Sequence, residues 1–204
     1  MKKEILTERG RLFESVGVPE GLKEAYELAL KAHQHWIDGR VLDAIELYQE
    51  ALKLFQEKGA YKEVANILEA LGDMYHLRGR MKECLRAYKA CLDICEDFED
   101  ELSTAVIAEK IVHVYRRQRE YEKMLPYLHR ILEIAEKFGD AHRAARAMVG
   151  IGDVHQAKGD FQTAKEAYEI ALKIYEGMGA IELAKVVKEG LKQVEEKLKS
   201  SENT

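Results

Sequence analysis

The sequence predicts an all-α array of four helix–turn–helix repeats, and three observations carry that expectation. First, "AKEAYEIALKIY" around Tyr168 returns as "CLRAYKACLDIC" around Tyr88 and as "AIELYQEALKLF" around Tyr48, with "MLPYLHRILEIA" around Leu128 as the fourth copy. The copies stand forty residues apart without a gap, and a fixed period of that length marks a repeat architecture. Second, apolar residues within each half-repeat fall at steps of three, four and seven, the stripe of an amphipathic helix. Third, the 204 residues include 47% hydrophobic and 34% charged ones but only two prolines, Pro19 and Pro126. With Ala, Leu, Glu and Lys abundant and no β-branched run of period two, helices are expected and a sheet is not.

The elements follow in chain order as one domain, 1–204. Residues 1–20 read as an N-terminal capping segment with Ile5, Leu12, Phe13 and Val16 as its apolar side chains. Its "RLFESVGV" echoes "KLFQEKGA" of the first repeat, so a half-repeat is expected before Gly17, Val18 and Pro19. Residues 21–178 hold the four repeats. Their first helices align Ala25, Ala65, Ala105 and Ala145, then Ala32, Gly72, Val112 and Gly152. Their second helices align Ala44, Cys84, Met124 and Ala164, then Tyr48, Tyr88, Leu128 and Tyr168. The small column lets paired helices approach, and the tyrosine column fills the gap beside it. Gly39, Gly79 and Gly159 punctuate the halves, and Gly59, Gly139 and Gly179 the repeats; Arg119 and Glu99 take those places once each. Asp100, Asp140 and Asp160 stand where a helix N-cap is needed. Pro126 falls inside the second helix of repeat three, near enough to its start to be tolerated with a bend. Residues 179–204 read as a capping helix and short tail, with Ile181, Ala184, Val187, Leu191, Val194 and Leu198 on one face and Lys and Glu on the other.

These motifs resemble the tetratricopeptide repeat family. "LEALGDMY" (Leu68 to Tyr75) and "MVGIGDVH" (Met148 to His155) are similar to its first-helix pattern, and "GDFQTAKEAYEIAL" (Gly159 to Leu172) to its second. The resemblance covers residues 21 to 178. The period departs from the family's usual 34 residues, and Gln56, Glu96, Glu136 and Glu176 replace the proline that ends the second helix, so that helix is expected to run on. The resemblance implies a right-handed α-α superhelix whose concave groove is lined by first helices. On that register Tyr26, Ala29, Leu30, His33, Trp36 and Ile37 face the groove in repeat one and Ala70 in repeat two. Lys110, His113, Arg116, Arg117 and Arg146 face it in repeats three and four, as does Gly150.

Function follows from this list. Arginine forks bind carboxylates bidentately, so the cations at 110–117 and 146 are expected to hold an acidic segment of a partner protein, with Tyr26 and Trp36 as apolar anchors. The carboxylate clamp that some members carry is not expected, because Ala29, His33 and Ala70 occupy its positions. The alternative is self-assembly into a homo-oligomer through the array ends, without a groove ligand. The net charge of −5 weighs against nucleic acid, and "RRQRE" (Arg116 to Glu120) lacks paired aromatics. Cys84 and Cys91 share columns with small or apolar residues, so the cysteines are expected as core thiols, with no metal site. "GIGDVHQAKG" follows no strand, and no nucleotide loop, HExxH or nucleophile elbow occurs. A non-catalytic protein without a cofactor is expected. No apolar run reaches membrane length and the start is no secretory signal, so a cytoplasmic location is expected and a membrane partner is not.

Overall fold

The computed structural model describes residues 18–202, and among these there are helices and turns but no strand. The N-terminal capping segment expected over residues 1–20 lies almost wholly outside the described residues. The chain divides into two compact units, residues 1–99 and 100–204. The first holds α1 (Lys23–Ile37), α2 (Val41–Glu57), α3 (Tyr61–Leu77) and α4 (Met81–Asp97), preceded by a 3-10 turn at Glu20–Leu22. The second holds α5 (Glu101–Gln118), a 3-10 turn at Tyr121–Met124, α6 (Leu125–Phe138), α7 (Ala141–Lys158), α8 (Phe161–Gly177) and α9 (Ile181–Glu202). Each unit therefore carries two of the expected helix pairs. Gln56, Glu96, Glu136 and Glu176 all lie within their helices, as the missing proline implies.

The local chemistry sets the helix ends. Asp100, Asp140 and Asp160 each accept a hydrogen bond from the backbone N–H three residues on, capping α5, α7 and α8. Pro126 stands at the start of its helix: α6 begins at Leu125, so the proline occupies the second helical position, where no N–H is needed. The cost is length, since the residues before it take the 3-10 form and α6 has 14 residues where α2, α4 and α8 have 17. Arg119 and Glu99 stand in the glycine columns with φ of 58° and 54°. A side chain pays a steric penalty in that left-handed region that glycine escapes. Arg119→Gly is expected to raise unfolding free energy by roughly 0.5–1 kcal/mol, read from the urea midpoint. An unchanged or lower midpoint refutes it.

The core follows the columns. Ala44, Cys84, Met124 and Ala164 are fully buried, so the paired helices meet where the small residues lie. The rings of Tyr88 and Tyr168 lie over Gly72 and Gly152, and each hydroxyl donates to the next residue along the first helix, Asp73 at 2.6 Å and Asp153 at 2.8 Å. Cys84, Cys91 and Cys95 are buried thiols, and Cys91 donates to the Ala65 carbonyl at 3.3 Å.

The outward faces of α1 and α9 are polar. On α3, Val64, Ile67, Leu71 and Met74 are buried against α2; on α9, Ala184, Val187 and Val194 are buried against α8. The same columns of α1 are Glu24, Glu27, Lys31 and Gln34, all exposed. On α9 the columns that face a second helix elsewhere are Lys185, Lys188 and Lys192, also exposed. Among the described residues, the exposed large apolar side chains of these two helices are Leu30 and Ile37 on α1 and Ile181, Leu183 and Val186 on α9. Ile181, expected on the buried face of α9, is 66% exposed at the first position of that helix.

Candidate protein-interaction face

On the first unit the expected apolar anchors are partly built into the fold. Tyr26 donates its hydroxyl to Glu63 at 2.6 Å and sets its ring edge-on to Phe55 at 5.1 Å, so it braces α1 against α3 and α2. Burial and then the Glu63 carboxylate push its pKa up to about 12. Trp36 is half-buried, with its ring edge-on to His33 at 6.2 Å. Leu30 and Ile37 are exposed. Four positions expected to face solvent do not: Ala29, His33 and Ala70 here, and Gly150 on the second unit, are buried. Successive first helices stand close enough for direct side-chain bonds, Tyr26 to Glu63 and Arg143 to Glu109, and that approach covers the flanking columns.

On the second unit His113 and Arg116 of α5 and Arg146 of α7 line one cleft. His113, Arg116, Arg117 and Arg146 are exposed and Lys110 is half-buried. Two carboxylates that the same repeat register places on the groove, Glu109 and Asp153, sit beside them. Glu109 accepts from Arg143 Nε at 3.1 Å and lies 3.8 Å from Arg146 Nη1. Asp153 accepts from Arg116 Nη2 at 2.8 Å and from the Tyr168 hydroxyl. Asp153 thus orients Arg116, whose side chain is still 43% exposed.

Burial raises the Asp153 carboxyl above the ordinary aspartate range, with Arg116 and then the Tyr168 hydroxyl opposing the shift. A carboxyl with a raised folded-state pKa binds its proton more tightly folded than unfolded. Stability is therefore lost as pH rises from the ordinary aspartate range through the raised pKa. Asp153→Asn removes that loss. Its urea midpoint is expected to gain on the wild type as pH rises above the ordinary aspartate range, near about pH 4; a constant difference would contradict the assignment.

A cleft of about 170 Å³ opens on this face, lined at its mouth by Glu109, His113, Arg116 and Arg146. Its wall is Val112, Leu128, Ile131, Ala147, Val149 and Tyr175. The repeat columns explain the space. Leu128 stands where Tyr48, Tyr88 and Tyr168 stand, and His113 stands where Asp73 and Asp153 receive the tyrosine hydroxyl in repeats two and four. Repeat three thus lacks the phenol that plugs the junction.

No helix among the described residues is long and apolar enough to cross a membrane, and no group of three or more His, Cys, Asp or Glu among them is placed to hold a metal. The family model described as tetratricopeptide repeat matches residues 23–97 and 103–177. Tonsoku-like protein of Bos taurus is 30% identical over 126 residues, 58% of this chain and 9% of that protein, so the chain spans under a tenth of that relative's length. Among solved structures, the apo form of RapI superposes with a TM-score of 0.76 at 20% identity, covering 93% of this chain and 53% of RapI. BtubC (BKLC) from P. vanneervenii superposes with a TM-score of 0.58 at 18% identity, covering 95% of this chain and 92% of that one. At such identities these two likenesses establish a shared fold.

Proposed function

Because the chain belongs to the tetratricopeptide repeat family, we propose that it is a non-catalytic interaction scaffold that holds an acidic segment of a partner protein on the α5–α7 face. The observation that carries this reading is the gathering of Lys110, His113, Arg116, Arg117 and Arg146 on two neighbouring first helices, in a chain whose net charge is −5. Positive charge concentrated on an acidic protein selects and steers an acidic ligand. Asp153 adds pre-organisation, since an arginine already oriented loses less freedom on binding. On the first unit Trp36 and Tyr26, with Leu30 and Ile37 beside them, are the proposed apolar contacts. A cytoplasmic location goes with this reading, since Cys84, Cys91 and Cys95 are thiols and not disulfides. Self-assembly through the ends is the weaker reading, because Glu24, Glu27 and Lys31 on α1 and Lys185, Lys188 and Lys192 on α9 present charge where stacking needs apolar surface.

Affinity capture from source-cell lysate, with wild type beside Arg116→Ala/Arg117→Ala, tests the proposal. The double variant is expected to retain a partner about tenfold more weakly, and the salt dependence of binding is expected to flatten with it. A partner retained equally by both proteins removes the α5–α7 face from the account. Recovery of the protein alone as its own multimer favours self-assembly.

A further inference from the structure

We infer that the cleft beneath this face is an anchor pocket for one bulky apolar side chain, of leucine or phenylalanine size, whose peptide carries a carboxylate beside it. The inference rests on the scaffold reading above and specifies the ligand for it. Volume points to a single side chain. At about 170 Å³ the cleft is close to the ~150 Å³ apolar cavities known to hold a benzene ring. It is well below the ~300–1,000 Å³ of pockets that take cofactors or drug-sized molecules.

The lining divides the ligand's chemistry into two parts. Val112, Leu128, Ile131, Val149 and the buried Tyr175 ring make an apolar interior, while Arg146, Arg116 and His113 stand at the mouth with Glu109, whose carboxylate is already paired with Arg143 at 3.1 Å. Arg146 is 54% exposed and only 3.8 Å from Glu109, a loose pairing that an incoming carboxylate can replace without stranding a buried charge. An apolar ligand alone would leave the rim unused, and an acidic one alone would leave the interior uncovered. The pocket is also particular to repeat three. Tyr168 fills the corresponding space beside Gly152, and Tyr88 fills it beside Gly72. The substitution of that phenol by Leu128 is the sequence feature that makes the pocket.

The probe is an array of nonapeptides with a central Phe, Leu or Ala flanked by either Asp or Lys, read against the full chain. Peptides with central Phe or Leu and Asp flanks are expected to bind about tenfold tighter than the central-Ala peptide with the same flanks. Val112→Gly/Leu128→Tyr rebuilds the tyrosine-over-glycine packing of repeats two and four in repeat three and so plugs the pocket. It is expected to lose the preference for Phe and Leu over Ala among the acidic peptides. Gly150→Ala, which drives Leu128 into the same space, is expected to do likewise should the double variant fail to fold by circular dichroism. Equal binding of central Ala and central Phe to the wild type overturns the pocket and leaves the cationic face standing. A preference for Lys flanks, or no binding by any peptide, overturns the pocket and the cationic face together.

Discussion

Tyr88→Ala is expected to lower the free energy of unfolding by about 3–5 kcal/mol, the range for truncating a large buried aromatic. Tyr88 is 3% exposed and has its ring against the Gly72 backbone, so alanine leaves a void bounded by helix backbone, which cannot relax into it. The hydroxyl adds to the loss. It donates to Asp73 at 2.6 Å, and burial followed by the Asp73 charge raises the phenol's pKa, which keeps it a donor. Tyr88→Phe separates the two contributions. It keeps the ring and takes a donor from a half-buried carboxylate, with an expected cost of about 1–2 kcal/mol. Urea unfolding of both variants checks the pair, and a Tyr88→Ala midpoint within about 1 kcal/mol of wild type would show that this column does not carry the core.

That column was legible in the sequence because burial imposes its own period. Tyr48, Tyr88 and Tyr168 recur at forty residues, and a ring of fixed size must meet a helix of fixed spacing each time. The Asp100, Asp140 and Asp160 caps were legible for a similar reason, since a cap is a contact three residues long. The candidate site was legible only in part. His113, Arg116 and Arg146 line one cleft between α5 and α7, but the carboxylates that hold two of the arginines come from the neighbouring first helix. Tyr26–Glu63 and Arg116–Asp153 both span 37 residues, and Arg143–Glu109 spans 34. Those separations are the repeat period less three and less six residues, so the signal was present but had to be read across repeats. The burial of Ala29, His33, Ala70 and Gly150 was hidden by the same closeness of first helices. The cleft was visible as an oddity, a leucine in a tyrosine column. Its size depends on Val149 and Tyr175, which no local pattern places beside Leu128.

Gly152→Ala is expected to cost roughly 2–3 kcal/mol, whereas Gly150→Ala, two residues away on the same helix, is expected to cost less than about 1 kcal/mol. Both added methyls would arrive at impossible distances, 2.6 Å from the Tyr168 ring and 2.5 Å from Leu128 Cδ2. Both substitutions also gain about 1 kcal/mol of helix propensity. What differs is where the displaced side chain can go. The Tyr168 hydroxyl is tied to Asp153 and Gln156 at 2.8 Å each, and the ring is packed among Ala145, Ala171 and Val187. It cannot yield without breaking those bonds and moving the core. Leu128 ends in two methyls that border the open cleft, so a change of rotamer takes them out of the way. Arg116 Nη2 lies 3.4 Å from the new methyl, a contact relieved by a few tenths of an ångström without breaking its bond to Asp153. Urea midpoints of the two variants decide the matter. Equal, large losses would mean that the cleft has no room for Leu128. A loss confined to Gly152→Ala would show that the space beside Leu128 is real and can be filled by a side chain.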